Sequence, residues 1–225
     1  MAVEELYDKK VKCPVCETQF TSKKVKYSKL RVKSKDSDLL TYYKGENPLK
    51  YNVFICPMCG YAATEEKYND ISNDKKAIVR DKITSRWKER EFSSPRVIDE
   101  AIMCYKLALN CGDVLAFKKA YNGGLCLSIA WLYRMKNDKK NEGKFLGFAL
   151  NLFVEAYSTE SLINSSIDEI TLAYLIGEIE RRLGNTDEAI KWFSNVVSHS
   201  LISTKPKIKK LAREQWNLVR ENQKG

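Results

Sequence analysis

Residues 173–194, AYLIGEIERRLGNTDEAIKWFS, have the pattern of two antiparallel helices joined by a tight turn. Apolar residues recur at helical spacing on both sides of Gly184, which is typical of a residue that ends a helix. Asn185 followed by Glu188 is typical of a capping box at the start of the next helix. This stretch predicts a helical hairpin, and the same spacing and punctuation predict about seven helices from Thr64 onward.

The second half of this stretch occurs in three copies. Each copy has an alanine, an aromatic residue four positions later and a small or apolar residue three positions after that, and the copies start at Ala101, Ala149 and Ala189. This is the second-helix half of the tetratricopeptide signature, in which small residues let two helices approach and the aromatic residue fills the space between them. Gly177 is the small residue of the first helix in the last copy, and Ala130 is its counterpart in the middle copy. The prediction is a mainly α fold, with a tetratricopeptide-like helical repeat domain (an α-solenoid) over residues 63–225.

Four cysteines lie in two pairs nearer the N-terminus, CPVC at residues 13–16 and CPMCG at residues 56–60. Two residues between cysteines let both thiolates of a tight turn face one ion, and a second such turn completes a four-sulfur site. Gly60 suits a backbone position with positive φ, whereas Glu17 occupies that position in the first turn. The predicted ligands, in a small β zinc ribbon over residues 1–62, are Cys13, Cys16, Cys56 and Cys59.

We expect the ion to be a structural Zn²⁺. Four cysteines close the coordination shell, whereas a catalytic zinc keeps an open position, usually with histidine or carboxylate ligands. The single histidine, His199, is far from both cysteine pairs in sequence. The alternatives are iron in a rubredoxin-like site, a redox dithiol and four unrelated buried cysteines. The remaining cysteines are expected to pack in the core because they fall inside helical patterns; they are Cys104, Cys111 and Cys126.

The two predicted domains should differ in their dependence on the metal. Residues 1–62 contain little apolar material, so we expect them to need the ion in order to fold. Residues 63–225 carry the helical patterns and are expected to keep their structure when the ion is removed.

A basic segment lies between the two cysteine pairs, in a chain of net charge +10. One bulge near Ser28 would turn four apolar residues inward, namely Val25, Tyr27, Leu30 and Val32. The outward stripe would then contain Lys24, Lys26, Lys29, Arg31 and Lys33. This stripe either contacts the phosphates of a nucleic acid or is the solvated face of the ribbon. A nucleic-acid-binding regulator is therefore one functional hypothesis.

Stacked repeats would form a concave groove lined by the first helix of each pair. The register set by Ala130 and Gly177 turns six side chains toward it, namely Leu127, Trp131, Arg134, Tyr174, Glu178 and Arg181. Both repeats thus offer an aromatic residue followed by an arginine, whose planar guanidinium suits a carboxylate. An acidic peptide or a chain terminus is the predicted ligand. The alternative is structural, with the arginines at helix ends and Trp131 in the core.

No stretch of about 18 apolar residues occurs, and residues 1–12 lack the apolar core of a signal peptide, so we expect a soluble cytoplasmic protein. There is no nucleophile elbow or phosphate-binding glycine loop, and Gly123 with Gly124 is better explained by a close helix contact or a break. A non-enzymatic protein-interaction scaffold or adaptor is therefore the leading hypothesis. An enzyme whose site is assembled from distant residues is a further alternative.

Four segments of the chain carry a resemblance to a known family. They are CPVC at 13–16, DSDLLTYYKGENPLKYNVFICPMCGYA at 36–62, AWLYR at 130–134 and AYLIGEIERRLGNTDEAIKWFS at 173–194. Together they resemble an uncharacterised family of bacterial proteins from Clostridium-like and related organisms, catalogued as a domain of unknown function. The resemblance covers nearly the whole chain. It implies a zinc ribbon ahead of a tetratricopeptide-like part, and it implies no activity.

Overall fold

The computed structural model of the protein describes residues 5–163, 165 and 167–222, and it is mainly helical, as predicted. Three two-stranded antiparallel hairpins occupy the N-terminal part. Strands β1 (Leu6–Lys12) and β2 (Gln19–Val25) form the first, β3 (Val32–Lys35) and β4 (Thr41–Tyr43) the second, and β5 (Val53–Ile55) and β6 (Ala62–Thr64) the third.

Seven α-helices follow in the described part of the chain, which confirms the predicted number. They are α1 (Asn73–Ile78), α2 (Ile98–Val114), α3 (Lys119–Met135), α4 (Lys139–Thr159), α5 (Glu169–Leu183), α6 (Thr186–Ser198) and α7 (Pro206–Asn222). A π turn (Val79–Ile83) and a 3₁₀ turn (Thr84–Arg86) continue the chain after α1. None of the described helices has both the length and the apolar character needed to cross a membrane.

The ends of α5 show how local sequence sets the helix boundaries. Asp168 caps the start of α5, because its carboxylate accepts a hydrogen bond from the Thr171 amide at 3.1 Å. Gly184 ends α5 with φ of 88°, which confirms its predicted role. The predicted capping box at Asn185 is wrong, since this side chain caps no amide of α6 and its Nδ2 instead donates to Glu180 at 2.6 Å.

The chain divides into two compact units. Of the described residues, unit 1 contains those up to Lys35, Thr41–Phe117 and Ser128–Glu142. Unit 2 contains Asp36–Leu40, Lys118–Leu127 and the residues from Gly143 onward. The predicted domain boundary between residues 62 and 63 is a statement about which parts of the chain fold independently. It remains a prediction.

In unit 1, α2 packs on the third hairpin through polar as well as apolar contacts. Arg96, just before α2, is 4% exposed, and its guanidinium donates to the carbonyl oxygens of Lys50 at 3.1 Å and Val53 at 2.9 Å. Tyr105 of α2 donates from its hydroxyl to the carbonyl of Leu49 at 3.0 Å. These buried bonds hold α2 against the segment that leads into the second cysteine pair.

In unit 2, α5, α6 and α7 surround one apolar core. Its buried members are Ile170, Ala173, Tyr174, Ala189, Phe193, Val196, Ile202, Ala212 and Val219. Gly177 of α5 faces α6 so closely that a Cβ atom there would lie 3.0 Å from the ring of Phe193. The small residue and the aromatic residue of the last predicted copy therefore meet across this helix pair.

Candidate metal centre

The first cysteine pair lies in the turn between β1 and β2. The amide of Glu17 donates to the carbonyl of Cys13 at 3.0 Å, and the amide of Cys13 donates to the carbonyl of Thr18 at 2.9 Å. The Val15 amide also points at the Cys13 sulfur, at 3.4 Å. These bonds curl the backbone around the sulfur atoms and leave Glu17 with a positive φ of 63°.

The second pair repeats this geometry between β5 and β6. The amide of Gly60 donates to the carbonyl of Cys56 at 3.0 Å, and the amide of Cys56 donates to the carbonyl of Tyr61 at 2.9 Å. Gly60 has φ of 74°, as predicted for the position that Glu17 occupies in the first turn. Two equivalent turns from distant segments therefore present their cysteines in the same way.

The four sulfur atoms come together. Cys13 Sγ lies 3.6 Å from Cys59 Sγ, and Cys16 Sγ lies 3.4 Å from Cys56 Sγ. All four lie within 4.8 Å of one another. Zinc–sulfur bonds of about 2.3 Å place the sulfur atoms of a tetrahedral site about 3.8 Å apart. The cysteines could therefore hold one metal ion, and no other such group occurs among the residues that the structure describes.

The thiols influence one another's ionisation because they are crowded together. Hydrogen bonds from Cys56 and Cys59 lower the pKa of Cys13, so that this sulfur takes the negative charge. The hydrogen bond with Cys13 in turn raises the pKa values of Cys56 and Cys59. Without a metal ion, such a cluster therefore holds one thiolate, which accepts hydrogen bonds from the neighbouring thiols. A divalent cation favours the thiolate form of all four, because thiolate is the form that binds metal.

Residues after the ribbon support both cysteine turns from outside. Arg80 donates to the carbonyl of Val15 at 2.8 Å, and Thr84 donates to the carbonyl of Cys59 at 3.0 Å. The indole nitrogen of Trp87 donates to the carbonyl of Pro57 at 2.7 Å. In the sequence, Val79, Ile83 and Trp87 form a stripe at helical spacing. Helical spacing does not indicate that Trp87 meets the second cysteine turn.

Trp87 also lies directly over the second turn. A Cβ atom at Gly60 would overlap the Trp87 ring, so this position requires glycine for its contacts as well as for its φ angle. Cys111 of α2 approaches the same turn, and its sulfur accepts a hydrogen bond from the Ala62 amide at 3.3 Å. The centre is thus supported by α2 and by the turns that follow α1.

The remaining cysteines and the histidine lie elsewhere. The three cysteines outside the centre are buried, which confirms the expectation that they pack in the core: Cys104, Cys111 and Cys126. Burial raises the pKa of Cys111 to about 12, so this thiol stays protonated at neutral pH. His199 belongs to unit 2, and its Nδ1 accepts a hydrogen bond from the Leu201 amide at 3.1 Å.

The predicted basic stripe is not uniform. Lys24 forms an ion pair with Glu65 at 2.5 Å, and only 16% of its side chain is exposed. Lys26 and Lys29 are half-buried, whereas Arg31 and Lys33 are exposed. Lys24 is therefore already engaged within the protein, and the other four cations keep part or all of their surface in solvent.

The prediction that four apolar residues beside this stripe turn inward is wrong in part. Val25 is buried at the end of β2, but Tyr27 is 89% exposed and Val32 is 56% exposed. The chain does not bulge near Ser28. It leaves the sheet and makes a 3₁₀ turn over Tyr27–Lys29, which breaks the alternation on which the prediction depended.

The six side chains predicted to line a groove differ in exposure. Leu127, Tyr174 and Glu178 are buried, whereas Trp131, Arg134 and Arg181 are half-buried. Arg134 forms an ion pair with Glu142 at 2.6 Å.

On α5, the chain's own segment Asp36–Leu40 covers the predicted surface. The Tyr174 hydroxyl donates to the carbonyl of Ser37 at 2.6 Å, and the Ser37 hydroxyl donates to Glu178 at 2.6 Å. This differs from the open groove that we expected. The physical reason is a contact between residues 137 positions apart, which helical spacing does not indicate.

The difference between the two cysteine turns predicts the effect of a substitution. Glu17→Gly should stabilise the protein by about 1 kcal/mol, because a side chain at positive φ is strained. Its metal content should not change. Thermal unfolding of metal-loaded protein measures the effect.

Glu17→Ala is the matched control, since it also removes the exposed ion pair between Lys12 and Glu17 but keeps a Cβ atom. Equal stability of the two variants would show that the φ angle at this position carries no strain.

Comparison with known proteins agrees with the resemblance noted in the sequence. The family described as "Uncharacterized protein conserved in bacteria (DUF2225)" matches residues 6–219. An uncharacterised protein of Borreliella burgdorferi is 27% identical over 144 residues, which are 55% of this chain and 51% of that relative. The chain therefore spans about half the length of this curated relative. No solved structure shows significant similarity. Since the family match extends over nearly all of the sequence, the chain belongs to the DUF2225 family of uncharacterised proteins conserved in bacteria.

Proposed function

We propose that the protein is a non-enzymatic interaction scaffold or adaptor that binds a peptide or protein partner on its helical surface. We place it in the cytoplasm of a Clostridium-like bacterium. The observation that carries the proposal is the way in which α5 binds the acidic turn Asp36–Leu40, which joins β3 to β4. A helix surface that binds the backbone and the acidic side chains of this turn has the chemistry needed to bind an acidic segment of a partner.

The contacts of this segment explain the proposed preference for acidic chains. Arg182 Nε lies 3.5 Å from the Asp38 carboxylate, and an Arg182 guanidinium nitrogen lies 3.9 Å from that of Asp36. Glu178 is fully buried and accepts hydrogen bonds from both Arg181 and Arg182 at 2.8 Å. Glu178 thus fixes two guanidinium groups in place, and fixed guanidinium groups suit carboxylates.

The proposal assigns a structural Zn²⁺ to Cys13, Cys16, Cys56 and Cys59. Four sulfur ligands complete a tetrahedral shell and leave no position for a substrate, which argues for a structural role. The ion would join two segments that are otherwise separate hairpins. Metal analysis of the purified protein distinguishes zinc from iron, and a four-sulfur iron site would also give the protein visible absorption.

The proposal also treats α3 with α4 and α5 with α6 as tetratricopeptide-like pairs. The support for this assignment is that both pairs contain the same type of contact, in which a glycine of the first helix packs against a phenylalanine of the second. Gly177 meets Phe193 and Gly123 meets Phe153, where an added Cβ atom would lie 3.0 Å and 2.5 Å from the ring, respectively. In the α3–α4 pair the glycine is Gly123, which lies seven positions before Ala130, the small residue predicted for this copy.

Two arginines are the proposed partner contacts, and each is tested separately. Arg181 keeps a quarter of its side chain exposed beside Glu178 in unit 2. Arg134 lies on α3 in unit 1, one turn from the half-buried Trp131. Arginine with a neighbouring aromatic residue is a common composition for the contacts that dominate an interface.

Affinity purification from the bacterial host tests the proposal. We expect the tagged wild-type protein to retain a defined protein partner after nuclease treatment. Arg181→Ala or Arg134→Ala should weaken that partner's binding by about thirtyfold, the effect of losing an interface residue worth about 2 kcal/mol. Quantitative mass spectrometry of the eluates, followed by titration of the purified partner, measures the loss.

Lys191→Ala is the control variant, because Lys191 also forms a helical ion pair, with Glu188, on an exposed surface of unit 2. It should retain the partner as the wild type does. If both arginine variants bind every recovered partner as tightly as the wild type, the proposal that Arg134 and Arg181 contact the partner is wrong.

A further inference from the structure

One short segment of unit 1, residues 26–35, combines an exposed aromatic ring with exposed and half-buried basic side chains. Tyr27 is 89% exposed at the start of the 3₁₀ turn, and Val32 is 56% exposed five residues later. Five cations accompany them on the same short segment, namely Lys26, Lys29, Arg31, Lys33 and Lys35. We call Tyr27 with these five cations the Tyr27 surface. An aromatic ring so exposed removes very little apolar area from water in the protein itself, so burial on folding does not explain its position.

The cations of the Tyr27 surface differ from their neighbours on the same hairpins. Lys23 pairs with Asp8 at 2.9 Å, and Lys24 pairs with Glu65. In contrast, none of the five cations of the Tyr27 surface forms an ion pair with a carboxylate in the part of the chain that the structure describes. Residues 18–35 contain no Asp or Glu at all. The positive charge of this surface is therefore not neutralised by its own segment.

Two carboxylates beside the start of this segment, where the Lys26 amide donates to the carbonyl of Glu5, are already engaged. Glu5 accepts a hydrogen bond from the Glu46 amide at 2.7 Å, and Glu46 pairs with Lys50 at 2.5 Å. The exposed Arg31 is held by its own backbone, because one guanidinium nitrogen donates to the carbonyls of Ser28 at 3.1 Å and Leu30 at 3.0 Å. These bonds leave the outer edge of the guanidinium available for an anion.

We propose that the Tyr27 surface binds single-stranded nucleic acid, with Tyr27 stacking on a base and the five cations contacting the phosphates. This goes beyond the scaffold function. Proteins that bind single strands without sequence preference combine these two features, a basic track and exposed aromatic rings. In a duplex the faces of the bases are stacked on one another. A duplex could therefore contact the cations through its phosphates, but its bases could not stack on Tyr27. An anionic membrane would be expected to require a larger cluster of apolar side chains than Tyr27 and Val32.

Fluorescence anisotropy with the full-length, zinc-loaded protein tests the proposal. The probe is a labelled oligothymidylate of about 20 nucleotides, long enough to cover a site of the size that small folds use. Wild-type protein should bind it more tightly than a duplex of equal length, and binding should weaken as salt rises from about 50 to about 200 mM. Tyr27→Ala should weaken binding about tenfold, whereas Tyr27→Phe should retain it, because stacking needs the ring and not the hydroxyl.

A charge variant tests the phosphate contacts separately. Replacing Lys29, Arg31 and Lys33 by glutamine should lower the slope of log affinity against log salt by about 2, since each single-strand phosphate contact contributes about 0.7. The matched control replaces three exposed lysines elsewhere by glutamine and should leave that slope nearly unchanged; these are Lys139, Lys140 and Lys207.

Three outcomes would overturn the proposal. The first is an absence of salt-dependent binding by the wild type. The second is equal weakening by the two charge variants, which would show that net charge alone attracts the oligonucleotide. The third is binding to vesicles containing anionic lipid, with no binding to the oligothymidylate, which would make this surface a membrane contact. Circular dichroism of each variant verifies that it is folded.

Discussion

Removing the metal from the cysteine centre is expected to unfold unit 1, including α2, and to leave α5, α6 and α7 folded. Cys56→Ser should have the same effect as a chelator. Structural zinc sites in small modules contribute about 10–16 kcal/mol, which is comparable to the whole stability of a typical domain, about 5–15 kcal/mol. The core of α5, α6 and α7 is formed by their own side chains, so it should persist.

The contacts around the centre extend this expectation beyond residue 62. Arg80, Thr84 and Trp87 bind the backbone of the two cysteine turns, and Cys111 accepts a hydrogen bond from Ala62. When the turns lose their ion, Arg80, Thr84 and Trp87 lose their carbonyl acceptors or must move with them. We therefore expect the loss of structure to reach α2, although the sequence pattern led us to expect that all residues from 63 onward would survive.

Hydrogen exchange measured by mass spectrometry, segment by segment, distinguishes the two expectations. Protection should fall in the three hairpins and in α2 after chelation, and it should remain in α5 and α6. Cys104→Ala is the matched control, because it removes a buried cysteine of α2 that is not a ligand and should leave one metal ion bound. Unchanged protection of α2 in fully metal-free protein would show instead that the ribbon folds as a separate module.

Two adjacent glycines of α3 should respond to alanine in opposite directions. Gly123→Ala is expected to destabilise the protein by about 1–3 kcal/mol, because the new Cβ atom would lie 2.5 Å from the ring of Phe153. Phe153 is 1% exposed, so its ring has no room to move. Gly124→Ala should stabilise the protein by up to about 1 kcal/mol, since a Cβ atom there meets nothing within 4 Å and alanine favours helix.

Chemical denaturation of the zinc-loaded protein measures both changes. The double variant Gly123→Ala with Phe153→Leu tests the mechanism, because a smaller side chain should relieve part of the overlap. We expect the two substitutions to be non-additive by about 0.5–3 kcal/mol, as residues in contact are. Strict additivity, or stabilisation by Gly123→Ala, would mean that the close approach of α3 and α4 does not determine stability at this position.

Features that depend on local spacing could be predicted from the sequence. The cysteine ligands follow from two short motifs, because two residues between cysteines fix the direction of both sulfur atoms. Gly184 ends α5 and Gly60 takes a positive φ, and the local backbone conformation is enough to predict both roles. The number of helices follows from apolar spacing, which tertiary contacts reinforce rather than change.

Features that depend on distant residues could not be predicted. Tyr174 and Glu178 have the spacing of groove residues, but Ser37, more than a hundred positions earlier, covers both. Tyr27 fits an alternating strand until a 3₁₀ turn removes it from the sheet. The role of Trp87 over the second cysteine turn was likewise not visible, since a stripe at helical spacing does not show which surface it meets.

The position of Asp36–Leu40 also determines when the protein can finish folding during synthesis. Asp38 is fully buried and Leu40 is 2% exposed, yet Ser37 bonds to Tyr174, 137 residues further along the chain. At about 5–20 residues per second, the ribosome makes α5 about 7–27 seconds after this segment has been added. Until then Asp38 lacks Arg182, the cation that approaches its carboxylate in the native state. In a nascent chain, the acidic Asp36–Leu40 loop therefore lacks its native contacts for most of translation. These contacts form only after α5, in the last third of the sequence, has been synthesised.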